Sequence, residues 1–244
     1  TNLRDVGSAI QVVTEQFLKD TGVRNTEELL KYTTSTEVGG MSGNFSGSIS
    51  LSAGTKYSNE TPTLIRTDLN TRVRGLSSAD TTMDYFLTDI PWDAYNTTRI
   101  EIQRGPNSIL FGLGNPSGII NAGLASASFA DSHELEYRFD KHGTSRGSFN
   151  FNHMLIKNQL ALRIAGVDDL SKFQQKPAYR RNERLYAALR YDPAFLNQGG
   201  THTTFKANVE TGNINSNNPR VLPPIDRITP WFKTGTYTVA GVPR

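Results

Sequence analysis

Two hydrophobic patterns divide the chain. From about residue 132 onward, apolar side chains recur at every second position. Leu135, Tyr137 and Phe139 alternate with Glu134, Glu136, Arg138 and Asp140, the period of two that a half-buried strand requires. After a turn at 141–144, Phe149 and Phe151 alternate with Ser148, Asn150 and Asn152. A tight turn at Lys157, Asn158 and Gln159 leads into Leu160, Leu162 and Ile164, set against Arg163 with small Ala161 and Ala165 between them. A polar loop is expected over 168–182. Leu185, Ala187, Leu189 and Tyr191 then mark a fourth strand, and Phe205, Ala207 and Val209 a fifth.

Before residue 132 the runs are shorter and mixed. Ala9 to Thr14 carries Ile10, Val12 and Val13 as a short strand. Thr14 is placed to cap a helix over 15–20, with Gly22 as its stop. Asn25 followed three residues on by Glu28 has the spacing of a capping box, opening a helix over 26–32 with Leu29 and Leu30 inward. Residues 39–62 are rich in Gly, Ser, Asn and Thr and read as a long loop. A strand is expected over 71–76, a polar turn over 77–84 and a strand again at Tyr85, Phe86 and Leu87. Residues 99–103 alternate as a strand, which Arg104-Gly105-Pro106 stops, because proline cannot donate to a ladder. A helical turn over 108–111 closing at Gly112, a glycine-bounded turn ending at Gly118, and the apolar pair Ile119-Ile120 complete the segment.

The run RIEIQRGPNSILFGLGNPSGIINAG, residues 99–123, resembles the signature near the end of the plug domain in TonB-dependent outer-membrane receptors. Glu101, Arg104, Gly105, Pro106, Ser108, Phe111, Gly112, Gly118 and Asn121 fall on matching positions. Phe111 stands where the family usually has Tyr, and Ser117 where Gly is common. Val73-Arg74-Gly75-Leu76 and Asp89-Ile90-Pro91 match two further steps, whereas Asp84-Tyr85 stands where the family commonly has Asp-Gly.

The resemblance implies an α+β plug domain over 1–130. It would be followed over 131–244 by antiparallel transmembrane β-barrel strands, the N-terminal portion of a barrel of about 22 strands. It implies that Arg74 and Arg104 lock the plug to glutamates of the inner wall, a role suited to the rigid arginine fork. The alternative is a pair within the domain, for example with Glu101. Gly75, Gly105, Pro106, Gly112 and Gly118 would serve close packing. Met41, Phe45, Tyr57 and Asn59 are candidate ligand contacts at the plug apex. The expected partners are a TonB-type periplasmic energy-transducing protein with its inner-membrane motor complex, outer-membrane lipid, and a siderophore, cobalamin or oligosaccharide ligand. The setting is the outer membrane of a Gram-negative bacterium. No cofactor, metal, nucleic acid or enzymatic reaction is expected.

Composition narrows the picture further. The 244 residues are 36% hydrophobic and 20% charged, with a formal charge of +3 and no cysteine, which excludes a disulfide scaffold or cysteine–zinc site. No apolar run reaches the roughly 18 residues of a spanning helix, so a membrane protein built from this chain must be a barrel. The basic run 180–184 reads as a solvated loop, not a nucleic-acid face. The acids Asp80, Asp84, Asp89 and Asp93 read as surface turn residues. Gly143-Thr-Ser145-Arg-Gly147 fits a hydrolase expression, but its place between two strands lacks the strand-to-helix elbow. The four histidines are scattered singly. Because a soluble sandwich shows the same alternation, a secreted all-β carbohydrate-binding or adhesin module is the rival reading.

Overall fold

The computed structural model describes residues 9–38, 71–76, 78–105, 115–197, 199–217, 219, 238–239 and 242–243. Its N-terminal unit begins with β1 (Ala9–Thr14), α1 (Glu15–Thr21) and α2 (Thr26–Leu30). The helix ends follow the local chemistry. The Thr14 hydroxyl accepts from Phe17 N, and Gly22 closes α1 at a φ of 68°. Asn25 caps α2 by accepting from Glu28 N at 3.0 Å. The Glu28 carboxylate reaches one residue beyond an ordinary capping box, accepting from Arg24 N at 2.8 Å. With Leu29 and Leu30 packed into the core, α2 stops after five residues.

β2 (Thr36–Val38) pairs with β3 (Thr71–Val73). Then follow β4 (Asp80–Met83), β5 (Phe86–Leu87), β6 (Thr97–Arg104) and β7 (Gly118–Leu124). The main sheet has the order β1-β6-β7-β4-β5, antiparallel except for β4 beside β7. Its core gathers Val13, Leu18, Leu29, Trp92, Ile100 and Ile102 with their neighbours.

The expected polar turn over 77–84 is therefore corrected. Asp80-Thr81-Thr82-Met83 is a strand, and both threonines are buried, because the neighbouring β7 supplies backbone partners that composition does not reveal. Asp84 and Tyr85 form the turn between β4 and β5, both at positive φ, 47° and 69°. Positive φ at two adjacent residues is the geometry of a tight hairpin turn. Tyr85 occupies a position where glycine is unstrained, and it is held there from outside: its backbone N–H donates to Asn121 Oδ1 at 2.8 Å.

After a linker the second sheet runs in simple meander order through β8 (Ser132–Phe139), β9 (Ser145–Ile156), β10 (Leu160–Lys172), β11 (Tyr179–Tyr191) and β12 (Phe205–Asn217). The turns at 141–144 and 157–159 lie where the pattern puts them. The expected loop over 168–182 shrinks to 173–178, since β10 and β11 stay in register from Leu160↔Tyr191 to Lys172↔Tyr179. β12 also runs on to Asn217, well past the expected alternation of Phe205, Ala207 and Val209. In both cases the strands continue after their apolar residues end. The ladder supplies the stabilisation there, and polar side chains suit the surroundings of both faces. A small ladder joins β13 (Thr238–Val239) to β14 (Val242–Pro243).

Candidate functional site

The two faces of the second sheet meet different surroundings. Leu135, Tyr137, Phe139, Phe151, Leu155, Ile164, Leu185, Leu189, Phe205 and Val209 point away from the N-terminal unit and are exposed. On the same face, Arg181 pairs with Asp168 and Glu183 beyond the apolar band. The opposite face carries Glu134, Arg146, Asn152, Asp169, Arg184 and Glu210, and it is this polar face that packs on the N-terminal unit. A soluble sandwich buries the apolar face of its sheets. Here the polar face is covered and the apolar face is bare, which is the arrangement of a wall that meets lipid outside and a filled lumen inside.

Contact between the units converges on the loop 91–96 that precedes β6. Asp93, only 4% exposed, receives two hydrogen bonds from the Arg146 guanidinium of β9, at 2.5 Å and 3.1 Å. Asn182 of β11 donates to the same carboxylate at 3.1 Å. Arg146, equally buried, also reaches Asp169 of β10 at 2.9 Å. Asp169 in turn accepts from Arg24 at 3.2 Å, and Arg24 pairs with Glu28 at 2.5 Å. Burial disfavours the Arg24 charge, but the hydrogen bonds it donates to Glu28 and the charges of the Glu28 and Asp169 carboxylates more than reverse this and raise its pKa. Two positions along, Arg184 donates to Pro91 O at 2.7 Å. The Tyr95 hydroxyl donates to Glu210 of β12 at 2.7 Å. Burial, then that carboxylate, push the Tyr95 phenol far above its ordinary range. A single short loop thus engages β9, β10, β11 and β12, meeting β10 both through Arg146 and through Tyr95, which packs in one buried cluster with Ala165 and Val167.

These residues overturn two sequence expectations. Asp93 is a buried ion partner where a surface turn residue was expected. The run 180–184 is a strand with Arg180, Asn182 and Arg184 inward and Arg181 and Glu183 outward, so alternation replaces the solvated loop. The signal was present in the period of two, but the charges concealed it. Buried charges persist only when paired, and their partners lie 53 and 89 positions away in the chain.

The residues of the 99–123 segment take up a second cluster. Glu101 lies on the face of β6 opposite Arg104, as a strand's period demands. It accepts from Arg99 Nε at 2.8 Å, from Asn121 Nδ2 at 3.3 Å and from the Tyr85 hydroxyl. Burial opposes its charge, but these three donors outweigh that and lower its pKa. Glu101 is therefore the partner of Arg99 and not of Arg104. Arg104 donates to Gln11 at 2.5 Å. Its guanidinium is disfavoured first by burial and then by the neighbouring charge of Arg74. Arg74 adopts a φ of 56° and stands beside Gly105, where an added Cβ would lie 3.0 Å from its Nη1. Among the described residues, no carboxylate pairs with Arg74 or Arg104. Pro106, Gly112 and the candidate ligand contacts Met41, Phe45, Tyr57 and Asn59 lie outside the described residues.

Asn121, fully buried, joins three strands. Its carbonyl accepts from Thr82 Oγ1 at 3.0 Å and from Tyr85 N, while its amide donates to Glu101. Asn121→Ala would leave the Tyr85 N–H without its acceptor at a strained turn. An unfolding midpoint in denaturant should report a loss of about 2–3 kcal/mol. A loss below about 0.5 kcal/mol would show that the turn holds itself.

Residues 2–119 match the family model described as the TonB-dependent receptor plug domain. These residues are a TonB-dependent receptor plug domain. The fold of the whole agrees. The pyoverdine outer-membrane receptor FpvA from Pseudomonas aeruginosa PAO1, bound to pyoverdine, superposes with a TM-score of 0.67 at 17% identity over 86% of this chain. The alcaligin outer-membrane receptor FauA from Bordetella pertussis gives 0.66 at 17% identity over 89%. The closed form of the ferric-catecholate import receptor Fiu from E. coli K12 gives 0.63 at 18% over 78%. The chain spans 28%, 34% and 24% of these receptors' own lengths.

In TonB-dependent receptor terms, the N-terminal sheet is the plug and β8 to β12 are barrel-wall strands. The G-x-S-x-G match lies along the β8–β9 hairpin, where Ser145 opens a wall strand and its neighbour Arg146 carries the plug contact.

Proposed function

We propose that this chain is the plug, residues 1–130, and the beginning of the barrel wall, 131–244, of an outer-membrane receptor for energised ligand uptake. The observation that carries the reading is the inverted sheet: apolar face bare, polar face bonded to the plug. Water is a poor solvent for a continuous strip of this size, whereas lipid is a good one. A secreted all-β module would leave that strip uncovered, and the rival reading loses its support there.

In this reading the wall lies in the outer membrane of a Gram-negative bacterium. A ferric siderophore binds at the outer end, where the three similar receptors named above bear the names of pyoverdine, alcaligin and ferric catecholate. A TonB-type periplasmic protein with its inner-membrane motor complex draws on the plug to release the ligand inward. The process is transport, with no bond made or broken. Arg74 and Arg104 are two adjacent cations without a carboxylate among the described residues, and they would be neutralised by acidic side chains of the remaining wall. Met41, Phe45, Tyr57 and Asn59 would contribute to the outer ligand surface.

Fractionation of cells that express the full-length protein tests the location. Recovery with the outer membrane is expected, and recovery in the soluble periplasm would sink the proposal. Tryptophan fluorescence titration of the purified protein tests the ligand class. Saturable quenching by a ferric siderophore is expected. Saturation by an oligosaccharide or cobalamin, with no response to ferric siderophores, would reassign the cargo.

A further inference from the structure

Two cavities lie between α1–α2 and the wall. The larger, about 430 Å³, is lined by Lys31, Asp140, Lys172 and Arg180 and lies at the β8–β9 hairpin end. The smaller, about 50 Å³, is lined by Lys19, Glu134, Asn150 and Arg163, nearer the middle of the strands. Arg24 lines both. Arg146 faces the smaller cavity, whereas Asp93 and Asp169 face the larger. The partition between the two is thus the ion bridge Arg24–Asp169–Arg146–Asp93.

The contacts of this bridge differ in what breaking them leaves behind. Separating Arg146 from Asp93 strips the carboxylate of its only guanidinium, in a buried place. Separating Arg24 from Asp169 strands nothing. Asp169 keeps Arg146 at 2.9 Å, and Arg24 keeps Glu28 at 2.5 Å. At 3.2 Å the Arg24–Asp169 contact is also the longest of the bridge's ion pairs. An isolated buried charge is the main cost of parting an ion pair, and this pair parts without one.

We propose that the Arg24–Asp169 contact is the gate of a polar passage between α1–α2 and the wall. The gate opens when the Arg24 side chain, still paired with Glu28, swings off Asp169 and joins the two cavities, while the Arg24 backbone stays tied through its carbonyl, which accepts from Ala94 N at 3.0 Å. Arg146 of the wall and Asp93 of the plug stay joined as a fixed post. Both cavities are lined by charges of either sign, so the passage suits a polar solute. The inference rests on the receptor reading and deepens it by naming the place of opening.

The test uses full-length receptor in planar lipid bilayers, with potassium chloride as the permeant probe. Arg24→Met and Asp169→Asn should each make conducting events at least about tenfold more frequent than in the wild type, a tenfold change in an equilibrium being a shift of about 1.4 kcal/mol. Glu28→Gln, which leaves the gate contact in place, should stay within about twofold of wild type. Circular dichroism in detergent identifies any variant that has lost its sheet, and the remaining gate variant then decides. Silence of a correctly folded gate variant overturns the gate. Equal conduction by Glu28→Gln overturns it as well, because the leak would then reflect general loosening. If the wild-type protein fails to reach the outer-membrane fraction, the receptor reading falls and the gate with it.

Discussion

Replacing Arg146 with methionine is expected to loosen the plug from the wall more than any other single change at their interface. The side chain is 4% exposed and neutralises Asp93 and Asp169 together. Methionine fills a similar volume, so the loss is electrostatic. Asp93 keeps only neutral donors, Asn182 and the Tyr95 backbone N–H, and becomes a buried charge without a counter-ion. Removing one partner of a buried pair costs about 3–5 kcal/mol. Protease digestion of the full-length receptor in detergent, followed across a denaturant series, should show the plug becoming cleavable at a lower midpoint while the wall stays intact. Arg146→Lys should fall in between, keeping the charge but losing the two-pronged geometry. The double change Arg146→Met with Asp93→Asn should cost less than the sum of the singles, since it removes the stranded charge. A midpoint unchanged in Arg146→Met would mean that water or another cation already serves Asp93.

Gly118→Ala should be nearly as damaging, for a steric reason. Gly118 opens β7 at a φ of 110°, and an added Cβ would fall far inside van der Waals contact distance of the Gln103 carbonyl oxygen and 3.0 Å from Arg104 Cα. Both obstacles are backbone of β6, which cannot move without breaking the β6–β7 ladder at the centre of the sheet. The combined strain and lost pairing should reach at least about 3 kcal/mol. Gly75→Ala is the control: φ is 70°, but nothing lies within 4 Å of the new carbon. Only the dihedral penalty remains there, about 1 kcal/mol. Comparable unfolding midpoints for the two variants would show that the Gly118 site relaxes and that its packing is not the reason glycine stands there.

Much of the framework was legible along the chain because it is local. The Thr14 and Asn25 caps, the Gly22 stop and the turns at 141–144 and 157–159 depend on residues a few positions apart, and they form as their chemistry dictates. The outward faces of β8 to β12 were legible for the same reason, since a strand's faces repeat every two residues. Legibility failed where polarity and burial part company. Asp80-Thr81-Thr82 has a turn's composition, but β7 lies beside it and completes its hydrogen bonds. Arg180 to Arg184 resembles a solvated run, but every second side chain meets the plug. Asp93 looks like a turn acid and is the most heavily bonded carboxylate of the interface. Glu101 was a candidate partner for Arg104, yet the alternation that identified the β6 strand already puts the two on opposite faces.

What the sequence determined by itself is the two-part architecture and the family: the signature over 99–123, the cap positions and the period of two are encoded by short-range spacing. Only the tertiary structure decided which face of the second sheet is covered, and so whether the same alternation belongs to a soluble sandwich or to a wall in lipid. Periodicity separates two faces but does not say which solvent each one meets. That is settled by what packs against the polar side, through ion pairs whose members are far apart in the chain and whose pairing no local pattern specifies.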